Sequence, residues 1–155
     1  MECHTSRVTG GDELQIVRDL FREYEASLAF DLDFQGFEDE LASLPGRYGP
    51  PTGSLLLARL GEEVAGCVAV RALEAGVCEM KRLFVRPGFR GHRVGASLGR
   101  AILDEARSLG YASMRLDTVT SMTAANRLYE SLGFRSIAAY CENPLPDAEF
   151  KELRL

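Results

Sequence analysis

The segment that most constrains the fold runs from Phe84 to Tyr111 and reads FVRPGFRGHRVGASLGRAILDEARSLGY. Its apolar start ends at Pro87, which has no backbone N–H to donate to a strand ladder. A short turn rich in glycine and arginine follows. From Arg93 onward, apolar residues recur at helical spacing until Gly110, a residue type that favours the position after a helix. The segment therefore predicts a strand that feeds a helix through a basic, glycine-rich turn.

This turn has the composition of an anion site. The first turn of a helix leaves backbone N–H groups unpaired and carries partial positive charge, so it binds phosphate readily. Gly91 and Gly95 allow a ligand to approach the backbone closely, and Arg86, Arg90 and Arg93 add positive charge. A plain strand-to-helix turn with solvated arginines explains the same residues. The common nucleotide motifs do not fit, because the glycines of GHRVGASLG are four residues apart and a P-loop sequence is absent.

The rest of the chain shows helix and strand patterns in a regular order. Apolar residues at helical spacing predict one helix from Asp12 to the DLD sequence and a shorter one that ends at Pro45. Three strand-like runs follow, joined by short turns: Ser54–Leu60, Val64–Leu73 and Val77–Val85. After the helix at Arg93 come a strand, a helix with Ser121 as a candidate cap, and two last strands: residues 112–119, 121–134, 135–142 and 148–155.

This order of elements predicts an α+β fold. The short turns favour antiparallel pairing of the first three strands. The strand–helix–strand unit from Val77 to Val119 is expected to be a right-handed crossover that pairs its two strands in parallel. We therefore expect a mixed, mostly antiparallel central sheet of about six to seven strands with helices on both faces. With 155 residues and no long linker, the chain is expected to be a single domain over residues 1–155.

Composition excludes several classes of protein. The net charge of -5 gives no general attraction to nucleic acid or to a membrane surface. No apolar run approaches the roughly 20 residues that span a bilayer, and the N-terminus has no apolar leader segment. A cytoplasmic location with reduced thiols is therefore expected. No metal is expected, because the two histidines have no ligand-like spacing to the four widely separated cysteines: His4 and His92, with Cys3, Cys67, Cys78 and Cys141.

Two motifs resemble the GCN5-related N-acetyltransferase (GNAT) superfamily. The sequence RGHRVGASL, after a strand that ends LFVRP, resembles the family's acyl-CoA pyrophosphate loop, written Gln/Arg-x-x-Gly-x-Gly/Ala. This pattern is often written out as Arg-Gly-x-Gly-Ile/Val-Gly. Arg90, Gly91 and Gly95 match it, and Arg93 stands where the shorter pattern has its first glycine. We expect Arg93 to keep an ordinary φ and to point its side chain outward. The sequence AANRLYESLGF resembles a later helix of the family, and Asn126 and Tyr129 are three residues apart on one face of it.

The resemblance implies acetyl-CoA as co-substrate and a role for each matching residue. The backbone of Leu83, Phe84 and Val85 would pair with pantetheine, and Asn126 would hydrogen-bond the same arm. The pyrophosphate would be held by the backbone of the loop: Arg90, Gly91, His92, Arg93, Val94, Gly95 and Ala96. Tyr129 would donate a proton to the leaving thiolate, although a core tyrosine fits its apolar stripe equally well.

The base that takes the proton of the amine is less well defined. Glu79 lies upstream on the same strand, where members of the family often place a glutamate. A surface carboxylate, or a partner for Lys81 on the same face of the strand, explains Glu79 as well. Asp117 on the neighbouring strand is the second candidate.

These roles predict transfer of an acetyl group from acetyl-CoA to a primary amine of a small molecule, peptide or protein. A non-catalytic acyl-CoA-binding or sensing module is the alternative. The partners expected are acetyl-CoA and an amine acceptor, with a homodimer possible and without nucleic acid or membrane. The acceptor pocket is expected to involve three segments outside the shared CoA region: Phe30–Phe37, Gly46–Gly53 and Tyr140–Asp147.

Overall fold

The computed structural model describes residues 2–155. Its seven strands are β1 (Cys3–Val8), β2 (Ser54–Leu60), β3 (Glu63–Glu74), β4 (Val77–Val85), β5 (Ser113–Val119), β6 (Arg135–Ile137) and β7 (Ala148–Arg154). Its four α-helices are α1 (Asp12–Ala26), α2 (Phe37–Ser43), α3 (Val94–Ser108) and α4 (Thr123–Leu132). Short 3-10 helices span Asp33–Gln35, Gly46–Tyr48 and Pro87–Phe89.

The strands form one mixed sheet in the order β1-β2-β3-β4-β5-β7-β6. Only β4 and β5 pair in parallel, and α3 connects them. All other neighbouring strands pair antiparallel. The predicted α+β class, the mixed sheet and the parallel crossover are therefore confirmed.

The parallel pair separates soon after it begins. The ladder joins only Val77 to Ser113, Cys78 to Met114 and Glu79 to Arg115. Beyond Glu79 the two strands have no further paired residues, although β4 continues to Val85 and β5 to Val119. The second half of β4 therefore presents a strand edge without a protein partner on its β5 side.

A bulge in β4 lies within this separated half. Cys67 faces Phe84 and Ala69 faces Lys81, so one residue of β3 opposes two of β4. Arg82 at the bulge adopts a left-handed backbone with φ of 61°. Its buried guanidinium pairs with both carboxylate oxygens of Glu40 on α2 at 2.9 Å each. The bulge is therefore fixed to the helical segment that follows α1.

The sheet separates two hydrophobic cores. One core, around Leu98, Ile102 and Leu116, packs α3 and α4 against one face. The other, around Leu20, Phe21 and Phe37, packs α1 and α2 against the opposite face. Cys67 and Cys78 are buried, one in each core, and all four cysteines are free thiols. Helices cover both faces as predicted.

Two local expectations were wrong. The strand β1 was not predicted, because its residues are mostly exposed and its pairing along the edge of β2 leaves no alternating apolar pattern. Ser121 does not cap α4: the residue before the helix is Met122, and no side chain caps it. Thr123 instead donates its backbone N–H to the carbonyl of Ser121 at 2.9 Å.

Replacing Gly66 with alanine is expected to destabilise the fold near the bulge. A Cβ at Gly66 would lie 2.3 Å from the carbonyl oxygen of Phe84, a backbone atom that cannot move without shifting β4. We expect a loss of about 1–3 kcal/mol in the free energy of unfolding, measured by urea denaturation. Gly88→Ala is the control, because nothing lies within 4 Å of its added Cβ. Equal stability of the two variants would contradict the close approach.

Among residues 2–155, none of the helices is both long enough and apolar enough to cross a bilayer.

Candidate active site

A groove of about 740 Å³ lies along the end of β4, in the half of that strand that has separated from β5. Its walls come from the end of β4, the turn after it, the start of α3 and the start of α4, with the last turn of α1 at one side. Nine of the predicted CoA-binding residues line it: Leu83, Phe84, Val85, Arg90, Gly91, Arg93, Val94, Gly95 and Ala96. One continuous surface thus joins the open edge of β4 to the helix N-terminus.

The groove ends at a series of free backbone amides. Within residues 2–155, the six consecutive N–H groups from Gly91 to Ala96 have no hydrogen-bond acceptor; Ser97 is the first to donate, to the carbonyl of Arg93. The first turn of α3 also contains no acidic residue, whereas α1 and α2 both begin with acidic residues. The helix dipole at this end is therefore not offset by a local carboxylate, which favours binding of an anion.

The backbone of Arg93 differs from the expectation. Arg93 has φ of 60° and ψ of 22°, in the left-handed region, so the prediction of an ordinary φ was wrong. Arg93 therefore adopts, at the position where the family pattern has glycine, the conformation that glycine provides at lower cost. The side chain of Arg93 is exposed, and it lines the groove.

The three arginines of the turn differ in their availability. Arg86 donates to both carboxylate oxygens of Glu23 at 2.9 and 2.7 Å and to the carbonyl of Val64, so it ties the turn to α1. Arg90 and Arg93 form no ion pair within residues 2–155, and both line the groove. Two cations are therefore free to meet an anion held by the amides.

Arg93→Gly tests whether the guanidinium of Arg93 or only its backbone contributes to the binding of CoA. Glycine is expected to raise the free energy of unfolding by about 1 kcal/mol, because the left-handed backbone loses its Cβ strain. If the guanidinium pairs with phosphate, CoA affinity is expected to fall, and its salt dependence to weaken, in the variant. Isothermal titration at low and high salt measures both effects. Unchanged or higher affinity would mean that only the backbone of Arg93 contributes.

A second cavity, of about 40 Å³, lies between the separated halves of β4 and β5. Its charged lining groups are Lys81, Arg82 and Asp117, and its other walls include Phe30, Phe34 and Leu145 from two of the three segments predicted to form the acceptor pocket. No residue of 46–53 lines it. Tyr24, Leu83 and Met122 line both cavities. The two spaces therefore meet at the middle of the gap.

Tyr129 lies on α4 facing this second cavity. The residue is buried, and its ring packs edge-on against Phe134 with centroids 5.9 Å apart. Within residues 2–155 its hydroxyl forms no hydrogen bond, although it borders the cavity. Burial raises the pKa of the phenol, so Tyr129 keeps its proton at neutral pH. The ring thus contributes to the core while the hydroxyl remains available to a ligand.

Tyr24 has a similar environment and was not identified from the sequence. It lies on α1, packs edge-on against Phe84 with centroids 5.9 Å apart, and borders both cavities. Burial raises its pKa to about 12, and its hydroxyl has no partner among residues 2–155. Sequence periodicity assigns Tyr24 to the apolar face of α1, and only the tertiary fold brings that face to the gap.

Two predicted CoA-binding residues lie outside the groove lining. His92 is exposed in the turn, where its backbone N–H belongs to the free series but its side chain does not border the groove. Asn126 donates to the carbonyl of Val119 at 2.9 Å and accepts from the hydroxyl of Thr118 at 3.0 Å. In this arrangement, the Asn126 side chain joins α4 to the end of β5.

Glu79 is buried and already has partners. One carboxylate oxygen accepts from Arg71 at 2.9 Å and the other from the hydroxyl of Tyr140 at 2.7 Å. Glu79 borders neither cavity, and the suggested pairing with Lys81 is replaced by the pairing with Arg71, which faces Glu79 in the β3–β4 ladder. Correct alignment of the β3–β4 hairpin in the sequence would have identified the pair of Arg71 and Glu79.

Asp117 is the carboxylate that borders the second cavity. One oxygen lies 3.5 Å from Nζ of Lys81, and the other accepts from Asn143 at 3.1 Å. The Asp117 side chain is 8% exposed. Of the two candidate bases, Asp117 therefore has the more suitable position.

Among residues 2–155, no group of three or more histidine, cysteine, aspartate or glutamate side chains is arranged to hold a metal ion.

Proteins named as N-acetyltransferases, and a synthetase of an N-acetylated amino acid, resemble this chain in sequence. A family model described as acetyltransferase (GNAT) family matches residues 14–134. An uncharacterized N-acetyltransferase of Schizosaccharomyces pombe is 44% identical over 138 residues, which cover 88% of this chain and 85% of that protein. The human N-acetylaspartate synthetase is 38% identical over 109 residues, which cover 69% of this chain but only 36% of that protein.

Solved structures share the fold over nearly the whole chain. A Klebsiella pneumoniae protein named as an acyl-CoA N-acyltransferase superposes with a TM-score of 0.76 at 28% identity, covering 99% of this chain and 97% of that one. A GNAT family acetyltransferase from Elizabethkingia anophelis, solved with acetyl-CoA bound, has a TM-score of 0.71 at 19% identity and covers 99% and 98% of the two chains. The family match across residues 14–134, together with this fold, shows that the chain belongs to the GNAT family and is an acyltransferase of the N-acetyltransferase type.

Proposed function

We propose that the protein transfers the acetyl group of acetyl-CoA to a primary amine by direct attack of the amine on the thioester. The observation that carries this proposal is the groove that joins the open edge of β4 to the six free amides before and within the first turn of α3. Its volume of about 740 Å³ is within the range of small-molecule sites. We further propose that residues 1–155 act as one catalytic domain.

The two ends of the groove suit different parts of CoA. Free amides at a helix N-terminus, with Arg90 and Arg93 beside them, suit a pyrophosphate. The unpaired edge of β4 near Leu83, Phe84 and Val85 suits the amide groups of pantetheine, which can hydrogen-bond to a strand edge. This orientation would bring the thioester to the middle of the gap, near Tyr24 and Met122.

The amine would approach from the second cavity. It must lose a proton to become nucleophilic, and Asp117 is the carboxylate on that cavity. Glu79 remains a second candidate, but it borders neither cavity and would have to act through water. As the new C–N bond forms and the C–S bond breaks, the Tyr129 hydroxyl would protonate the departing sulfur. The products are the N-acetylated amine and CoA with a free thiol.

Asn126 has an indirect part in this proposal. With both polar atoms of its side chain bonded to the end of β5, it would hold α4 against that strand and so position Tyr129. A direct bond to pantetheine would require Asn126 to exchange one of these partners.

The first test is release of CoA thiol from acetyl-CoA in the presence of a panel of amines, followed by mass spectrometry of the product. The name of the human relative describes an N-acetylated amino acid, so L-aspartate belongs in the panel beside polyamines, aminoglycosides and peptides. Amine-dependent thiol release and a product heavier by one acetyl group would support the proposal. Tight acetyl-CoA binding without release for any amine would favour the non-catalytic module.

A further inference from the structure

The two cationic side chains that border the second cavity differ in how many hydrogen-bond partners they have. Arg82 borders the cavity, but it is paired with both oxygens of Glu40 and also donates to Gln35 at 2.6 Å. Lys81 borders the same cavity, and within residues 2–155 its one partner is Asp117, at 3.5 Å. Lys81 is therefore the cation on this wall with the most unused hydrogen-bonding capacity.

Lys81 is also deeply buried. Its side chain is 5% exposed, yet within residues 2–155 its ammonium has one long contact for its three N–H donors. An ammonium removed from water loses hydration that one contact at 3.5 Å does not replace. In agreement, burial lowers the pKa of Lys81, and Asp117 opposes that shift. A cavity wall that holds such a group is complementary to an anion.

The neighbouring carboxylate makes the wall complementary to a cation as well. Asp117 keeps one oxygen toward Lys81 and the other toward Asn143, and it borders the same cavity. Opposite charges 3.5 Å apart match the spacing of an ammonium and a carboxylate that are separated by one or two carbon atoms. The cavity volume of about 40 Å³ favours a compact molecule.

We propose that the acceptor is a free amino acid, whose carboxylate pairs with Lys81 and whose amine lies beside Asp117, facing the gap between β4 and β5. This inference rests on the proposed acetyl transfer. The amine nitrogen, after passing a proton to Asp117 or to water bound there, forms the C–N bond to the acetyl carbon. The C–S bond breaks and the sulfur takes the proton of the Tyr129 hydroxyl, while the second proton that the nitrogen loses as the amide forms returns to Tyr129 through water. The products are an N-acetyl amino acid and CoA thiol. Lys81 acts by binding the carboxylate and takes no proton in the step.

Matched acceptors test the carboxylate on the unaltered protein. Each amino acid is compared with its α-carboxamide, which imitates a peptide N-terminus, and with the amine that lacks the α-carboxylate: L-alanine with L-alaninamide and ethylamine, and L-aspartate with its α-amide and β-alanine. Rates are expressed as kcat/KM for the neutral amine, so that differences in the deprotonated fraction of each amine do not enter. A charge-assisted hydrogen bond predicts a preference of roughly 10–100-fold for L-alanine over its amide and over ethylamine. β-Alanine keeps a carboxylate and is expected to remain a substrate.

Variants of the two lysines test whether Lys81 causes the preference for the amino acid over its amide. Lys81→Met keeps the length and the apolar stem of the side chain but removes its charge, and it is expected to bring the acid-to-amide ratio close to one. Lys81→Arg retains the charge and is expected to retain part of the preference. The other lysine in the sequence, Lys151 on β7, borders neither cavity. Lys151→Met is the control and is expected to leave the ratio unchanged.

The outcomes separate this inference from the proposed function. Equal acetylation of acids, amides and simple amines would overturn the amino-acid class while leaving acetyl transfer intact. No thiol release with any amine would overturn both. Because Lys81→Met leaves Asp117 buried without its partner, its melting temperature and acetyl-CoA binding are measured beside the kinetics. If that variant does not fold, the matched acceptors on the unaltered protein and the Lys81→Arg variant still decide the question.

Discussion

Replacing Tyr129 with phenylalanine is expected to lower kcat by roughly 10²–10⁴-fold, the usual contribution of a positioned general acid. The ring and its edge-on contact with Phe134 remain, so the variant should fold and bind acetyl-CoA. The KM for acetyl-CoA should change little, because the hydroxyl acts mainly as charge develops on sulfur. Steady-state kinetics and a thermal melt of the same variant measure both parts of the expectation.

The alternative for Tyr129 is a core tyrosine without a chemical role, and it predicts the opposite result. In that case turnover stays near the wild-type value. The control is Tyr111→Phe, which removes a hydroxyl that donates to the carbonyl of Thr52 and borders neither cavity. Tyr24→Phe is a third comparison, since its hydroxyl is also free at the gap. A large loss in Tyr24→Phe, with Tyr129→Phe unchanged, would transfer the acid role to Tyr24.

Placing a carboxylate in the first turn of α3, the proposed pyrophosphate site, is expected to abolish most of the acetyl-CoA stabilisation. Ala96 lies in the first turn of α3 and borders the groove, so glutamate at this position would repel the pyrophosphate and compete for the free amides. At 100 times its Kd, a ligand stabilises the folded state by about 2.7 kcal/mol. For a chain of this size, that free energy corresponds to a rise of roughly 5–10 °C in Tm, which the variant should lose.

Ala96→Glu separates ligand binding from folding because the two effects have opposite signs. An acidic residue in the first turn of a helix interacts favourably with the helix dipole and stabilises the fold by about 0.3–1 kcal/mol. The ligand-free variant should therefore melt no lower than the wild type. Arg100→Gln changes the net charge by the same amount on the same helix, at an exposed position that borders neither cavity. A normal acetyl-CoA shift in Ala96→Glu would place the pyrophosphate elsewhere.

The wall of the groove formed by β4, the turn and α3 could be predicted because its parts are local in sequence. Pro87 ends β4, glycines form the turn, and the helical period begins at Val94, so strand, turn and helix N-terminus follow from residues close together in the chain. The crossover rule then makes β4 and β5 parallel neighbours. Nine residues assigned to CoA binding from this segment consequently line one surface.

The second cavity could not be predicted in the same way, because its residues come from distant parts of the chain. Tyr24, Lys81 and Asp117 lie on α1, β4 and β5, and their meeting depends on strand register and on the bulge at Arg82. Glu79 illustrates the difficulty. Its carboxylate is bonded to Tyr140, 61 residues away along the chain, and no local pattern encodes that contact.

The sequence by itself determined the order of most elements, the fold class, the family and the basic, glycine-rich turn between β4 and α3. Each of these depends on periodicity or on the fixed backbone preferences of glycine and proline, which act over a few residues. The tertiary structure alone decided the left-handed backbone of Arg93, the edge strand β1 and which of the two carboxylates borders the second cavity. These features depend on packing between remote segments, where burial and hydrogen bonding outweigh local preference.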